Sequence, residues 1–170
     1  MSRLFQRAVL LSVFCLSGCS GSGSTQNWQE FNSEKCQFSA LFPGDLEEEE
    51  VGTDSQFQAR GKEANFRITC SRVSPVKARK AALRELLAMR DGAAKSLEAT
   101  VIEAREADVQ GEPAIEFKLA FSINGTDMVT HTRYVRCQDR FYQQIVTSPA
   151  ETSVAEDTRK FFGSFKLATE

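Results

Sequence analysis

The sequence offers few of the residues from which active sites are built. Its 170 residues include one histidine, His131. No Cys-x-x-Cys pair occurs, which removes the zinc knuckle and the thioredoxin-type redox site. His-Glu-x-x-His, the Gly-x-Ser-x-Gly elbow and the Gly-rich phosphate loop are also missing, and the standard hydrolase and nucleotide-binding classes go with them. No apolar run approaches the ~20 residues that a helix needs to span a bilayer. No internal repeat is present. A formal charge of −2 exerts no bulk pull toward nucleic acid. Glu47–Glu50 is a run of four acids, but contiguous acids on a strand point alternately to opposite faces, and a calcium loop spaces Asp and Asn around Gly. The run reads as a solvated edge that discourages sheet-to-sheet pairing. No cofactor and no metal site are expected.

What remains is an ordinary globular composition, 41% hydrophobic and 26% charged, with 13 Phe to fill a core. The length suits one domain.

The amino terminus reads in three zones. Met1–Arg7 carries Arg3 and Arg7 and no acid, Ala8–Leu16 is a short apolar run, and Leu16-Ser17-Gly18-Cys19 closes it. The run is half a membrane span, as in a signal-peptide core. The closing tetrapeptide resembles the lipobox of bacterial lipoproteins. That resemblance implies cleavage before Cys19 and acylation of its thiol, making the lipid bilayer the first partner. An ordinary secretory signal with Cys19 incidental is the alternative. Cleavage would leave 19 basic against 23 acidic side chains, or −4. The expected division is 1–18 signal peptide, 19–34 lipidated cysteine and tether, and 35–168 a single domain. Ser20–Thr25 is Gly/Ser-rich and behaves as a flexible link. Among such lipoproteins, a residue other than Asp after the cysteine implies release to the outer membrane, so Ser20 points to its periplasmic face rather than to the inner membrane.

Of five cysteines, Cys15 leaves with the signal and Cys19 is acylated, leaving Cys36, Cys70 and Cys137. Each is in phase with apolar neighbours and is expected to face the interior. An exported compartment permits a disulfide. One bridge plus one buried thiol, or three free thiols, both fit, and the pairing stays open.

Hydrophobic alternation predicts strands over Cys36–Phe42, Gln56–Arg60 and Ala64–Val73, with Leu46–Val51 an exposed strand or loop edge and Trp28–Phe31 a short turn or helix before them. Ser74-Pro75 reads as an N-cap and first helical residue, opening a helix over 74–97 whose apolar stripe includes Leu83, Leu86 and Leu87. Gly92 is expected to weaken or break it. Strands over Thr100–Val109, Ala114–Ile123, Met128–Cys137 and Phe141–Thr147 follow, with Asn124-Gly125 a strong hairpin signal. A second helix runs from about Glu151 to Phe162. Tight turns make neighbouring strands antiparallel. The expected fold is α+β, an antiparallel sheet of about six to seven strands flanked by two main helices.

With Phe38-Ser-Ala-Leu-Phe42-Pro43, the strand–helix order and the closing Arg159-Lys-Phe-Phe-Gly-Ser-Phe-Lys-Leu167, the chain resembles the PsbP-like fold over about 35–167. The resemblance implies a sandwich used by accessory and scaffold proteins. The motifs are structural, and no functional residue is carried over.

Two candidate constellations remain. Lys77, Arg79, Lys80 and Arg84, with Arg72 nearby, form a basic cluster that could contact anionic lipid or another envelope protein. A solvated helix face is the plainer account. His131 could serve as a general base only with a carboxylate or thiol in reach. The expectation is a non-enzymatic binding or accessory domain. Its alternatives are a small-ligand carrier with a pocket between the sheet and helix 74–97, or an enzyme using His131.

Overall fold

The computed structural model describes residues 26–168. The lipobox, Cys19 and the Ser20–Thr25 link lie outside the described residues. No helix among the described residues is long and apolar enough to cross a membrane.

Ten strands and two helices follow one another as β1 (Trp28–Ser33), β2 (Phe38–Pro43), β3 (Leu46–Val51), β4 (Asp54–Arg60), β5 (Asn65–Arg72), α1 (Arg79–Ser96), β6 (Thr100–Val109), β7 (Glu112–Ile123), β8 (Thr126–Cys137), β9 (Arg140–Pro149), α2 (Ala155–Ser164) and β10 (Lys166–Leu167). Seven strands form one sheet in the order β3-β4-β5-β9-β8-β7-β6, and β1-β2-β10 form a second. Every pairing is antiparallel. The α+β sandwich expected from the sequence is the architecture observed.

The alternation of the strands builds two cores, one on each face of the large sheet. On one face, Ala114, Val135, Tyr142, Val146, Phe66, Ile68 and Phe57 meet the small sheet and α2. Here Phe42 and Phe66 each set an edge against Phe161 of α2, at 5.3 Å between centroids. On the other face, Ile115, Phe117, Leu119, Tyr134 and Phe141 pack under Leu86 of α1. Pro113 lies within β7, where Pro113, Ala114 and Ile115 are buried in succession before the alternation begins.

Four sequence expectations are corrected. Trp28–Phe31 is neither turn nor helix: residues 28–33, placed above in the tether, form β1 and pair with β2 from Trp28↔Pro43 to Ser33↔Phe38. The pairing is favoured because Phe31 packs on Phe57 and Trp28 on Phe66. Helix α1 opens at Arg79, not at Ser74, and its N-cap is Ala78, which offers no side-chain cap. The Ser74 carbonyl, which an N-cap would offer to the first helical turn, is instead engaged by the Arg136 guanidinium. Gly92 leaves the helix unbroken to Ser96. Helix α2 likewise starts at Ala155 rather than near Glu151.

Candidate functional site

A groove of about 350 Å³ lies between α2 and the β6–β7–β8 region. Its floor follows from hairpin register. The β7–β8 turn places Glu116 opposite Arg133 and Lys118 opposite His131. The β6–β7 turn places Arg105 opposite Glu116 and Glu103 opposite Lys118. Cross-strand pairs of opposite charge are the stabilising arrangement on a sheet face.

Glu116 is the hub. Arg133 donates to its Oε1 from Nε at 2.8 Å and from Nη2 at 2.5 Å. Arg105 donates to Oε2 from Nε at 2.9 Å, and from Nη2 as well. Burial alone would raise the Glu116 carboxyl, but the hydrogen bonds from Arg105 and Arg133 outweigh it and hold the group below the usual carboxylate range. Lys118 pairs with Glu103 at 2.7 Å and holds that carboxyl low in the same way. Arg133 also reaches the helical wall, where Nη1 donates to the Phe162 carbonyl at 2.7 Å.

Ala155, Thr158, Arg159, Phe162 and Gly163 of α2 complete the groove. Thr158 is buried, and its Oγ1 has no hydrogen-bond partner. Arg159 is exposed and makes no ion pair among the described residues. Four permanent cations, Arg105, Lys118, Arg133 and Arg159, thus face two carboxylates, Glu103 and Glu116. Such a lining favours an anionic group.

His131 faces this groove. Burial first, then the Lys118 charge, lowers its imidazole below the ordinary histidine value, with Glu103 opposing weakly through space. No carboxylate or thiol hydrogen bond contributes to that shift, because Glu103 is held by Lys118. The requirement set for a His131 general base is therefore unmet among the described residues.

The structure separates the basic cluster from the groove, since α1 covers the other face of the sheet. Lys77 is exposed ahead of α1, and Lys80 and Arg84 are exposed on it. Arg79 is engaged, donating to Asp108 at 3.0 Å and to the Gly111 carbonyl at 3.1 Å. The pocket expected between sheet and helix 74–97 is replaced by packing. Leu86, Ile115 and Leu119 are each at most 2% exposed there, because the large apolar residues of β7 point at α1 while its charged residues point at α2. Cys36 and Cys70 are buried, Cys137 is half-buried, and all three thiols are free. Among the described residues no cluster of three or more His, Cys, Asp or Glu is placed to hold a metal ion. The acidic run lies on β3, where Glu47 accepts from Gln58 and Glu50 from Lys35.

Sequence reading passed over Arg105, Glu116, Lys118, Arg133 and Arg159, since charges alternating with apolar residues look like a plain solvent face. Equal steps back from Asn124-Gly125 would have paired Glu116 with Arg133. No local signal placed α2 over that pair.

No family model matches the chain, and no curated protein matches it in sequence. Solved structures share its fold. The cyanobacterial PsbP (CyanoP) of Synechocystis aligns with a TM-score of 0.58 at 14% identity, over 89% of this chain and 98% of that one. A Bacteroides thetaiotaomicron protein aligns with a TM-score of 0.57 at 19% identity, over 86% of this chain. This chain spans half, 50%, of the Bacteroides protein. The Ran-binding protein Mog1p of Saccharomyces cerevisiae aligns with a TM-score of 0.53 at 13% identity, over 84% of this chain and 96% of its own. The PsbP-like sandwich read from Phe38–Pro43 and the closing aromatic residues is the fold these proteins share.

Proposed function

We propose that this chain is a non-enzymatic binding domain of the cell envelope, held on a membrane by acylated Cys19, that engages an acidic group of a partner in the α2 groove. The observation that carries the reading is the groove's unbalanced lining. Among the described residues Arg159 makes no ion pair and Thr158 has a buried hydroxyl without a partner, beside a Glu116 whose charge is already spent on two arginines. The lipobox and the short Gly/Ser link support work close to the bilayer, on the periplasmic face of the outer membrane. One protein of the same fold, Mog1p, is named for binding Ran, so the sandwich can serve as a protein-binding body. Fold alone does not transmit a partner. The exposed Lys77, Lys80 and Arg84 provide a second basic surface for anionic lipid or an envelope protein.

A small-ligand carrier is the second reading. A groove of about 350 Å³ is the size of a small-molecule site. Titrating the full chain in lipid nanodiscs with a Glu-rich peptide, and separately with succinate, tests both. The expected result is saturable peptide binding that Arg159→Glu abolishes without changing Tm. Saturation by succinate alone would establish the carrier, and binding of neither would remove the groove. For the anchor, Cys19→Ser should abolish metabolic acyl labelling, and persistent labelling would overturn it.

A further inference from the structure

We infer that Cys36 and Cys70 are a redox pair that closes to a disulfide, stitching the small sheet to the large one. The placement follows from backbone and side-chain geometry. Cys70 on β5 stands in register with Ser55 on one side and Tyr142 on the other. The Tyr142 hydroxyl donates to the Cys36 carbonyl at 2.7 Å, which sets the β1–β2 turn directly above Cys70. The turn is pinned there. The Cys36 N–H donates to Ser33 Oγ at 3.2 Å, while Arg140 donates to the carbonyl of Lys35 at 3.0 Å and to Gln37 Oε1 at 3.2 Å. Both sulfurs belong to the same buried cluster, at 2% and 4% exposure.

The third thiol is poorly placed to pair with Cys70. Cys137 is on β8, with β9 standing between it and Cys70 on β5. Two strand spacings are roughly 9.5 Å, beyond the ~7 Å over which a disulfide can join two Cα positions. The chemistry agrees with this choice. The two thiols interact directly: hydrogen bonding with Cys70 lowers the Cys36 thiol in spite of burial, while the same contact and burial raise Cys70. Cys137 is pushed up to about 11 by burial and then by the nearby Glu112 charge, so it stays a thiol at neutral pH.

The oxidant is a disulfide of the thiol–disulfide exchange class. The Cys36 thiolate attacks one sulfur of the donor, forming a mixed disulfide and releasing one donor thiolate. Cys70, after losing its proton to solvent, attacks the Cys36 sulfur and releases the second donor thiolate. Two protein thiols are oxidised by two electrons and one donor disulfide is reduced to two thiols. Since both sulfurs are buried, the exchange takes place during folding or when the β1–β2 turn opens.

Glutathione disulfide supplied to the full chain, both native and during refolding from denaturant, tests the pairing. Trypsin separates the three cysteines, so mass spectrometry without reduction reads the connectivity directly. The expected product joins the peptide beginning at Cys36 to the one containing Cys70, leaves Cys137 open to alkylation, and raises Tm by roughly 10 °C over the reduced chain. Cys137→Ser should give the same bridge and the same shift, whereas Cys70→Ala should give neither. Alkylation of all three thiols after oxidative refolding, or a bridge containing Cys137, would overturn the assignment.

Discussion

Arg133 and Phe162 join the large sheet to α2 in two ways at once. The arginine donates to the Phe162 carbonyl at 2.7 Å, and its guanidinium carbon lies 4.7 Å from the centroid of the Phe162 ring. Phe162 is in the last turn of α2, where its carbonyl also accepts from the Phe165 N–H at 3.3 Å and where a cation is favoured. The same guanidinium is clamped by Glu116, so the floor of the groove and its helical wall are one network.

Arg133→Met keeps the aliphatic stem and deletes these polar links, leaving a half-buried Glu116 with Arg105 alone. The expected cost is roughly 2–4 kcal/mol. Amide exchange should accelerate in α2 and remain slow in β4 and β5. Unchanged α2 protection would show that apolar packing by Phe161 is enough to seat the helix.

Acid should weaken the fold in two stages. The His131 imidazole is depressed by burial, and the Glu116 carboxyl is depressed by its two arginines in spite of burial. A depressed group contributes stability above its unfolded value, about 6.5 for His and 4.3 for Glu, and that contribution is lost as pH falls through the folded value. Urea denaturation at successive pH values should show a first decline below about 6.5 and a second below about 4.3. His131→Asn should flatten the first and Glu116→Gln the second. An imidazole midpoint by NMR at or above the ordinary value would refute the His131 assignment.

Arg136 is 2% exposed and serves as a buried staple. It donates to the carbonyls of Gln138 at 2.6 Å, Arg140 at 3.0 Å and Ser74, with Glu85 of α1 at 3.5 Å. Arg136→Leu strands those carbonyls without donors, and a loss of at least about 3 kcal/mol is expected. Arg136→Lys should recover only part, because an ammonium cannot reproduce the planar fork. Thermal unfolding of the pair checks this, and equal Tm values for Lys and wild type would contradict it.

Gly61 allows a close approach. A Cβ there would sit 2.7 Å from Cε2 of Phe66 and 3.2 Å from the Ala64 carbonyl oxygen. Phe66 is wedged between Trp28 and Phe161, so the ring has little room to move. Gly61→Ala should cost about 1–3 kcal/mol through overpacking. Combining it with Phe66→Leu should be less damaging than the sum of the two changes. Strict additivity would place the cause elsewhere.

Much of the fold was legible because its signals are local. The alternation in β7 separates Ile115, Phe117 and Leu119 from Glu116 and Lys118, and that choice alone assigns each residue to a face. Asn124 and Gly125 adopt positive φ of 51° and 80°. A two-residue turn of this kind sets the β7–β8 register, and with it the Glu116–Arg133 pair. By contrast, Ser74-Pro75 is a sound helix start by local rules, yet a guanidinium 62 positions away takes the Ser74 carbonyl and the helix opens later. Trp28–Phe31 reads locally as a turn or helix for a similar reason: the strand it joins exists because β2 and the Phe57–Phe66 surface are there to receive it.

By itself the sequence determined the antiparallel α+β class, the hairpin registers and the inward phase of Cys36 and Cys70. Each depends on residues near one another along the chain, or on a periodicity that needs no partner. Tertiary structure alone decided which helix covers which face, that α1 packs Leu86 onto Ile115 and Leu119, and that α2 sets Thr158, Arg159 and Phe162 against Arg133. It also brought the Cys36 turn above Cys70. Those outcomes come from shape and charge matching between segments far apart in sequence, which no local pattern encodes.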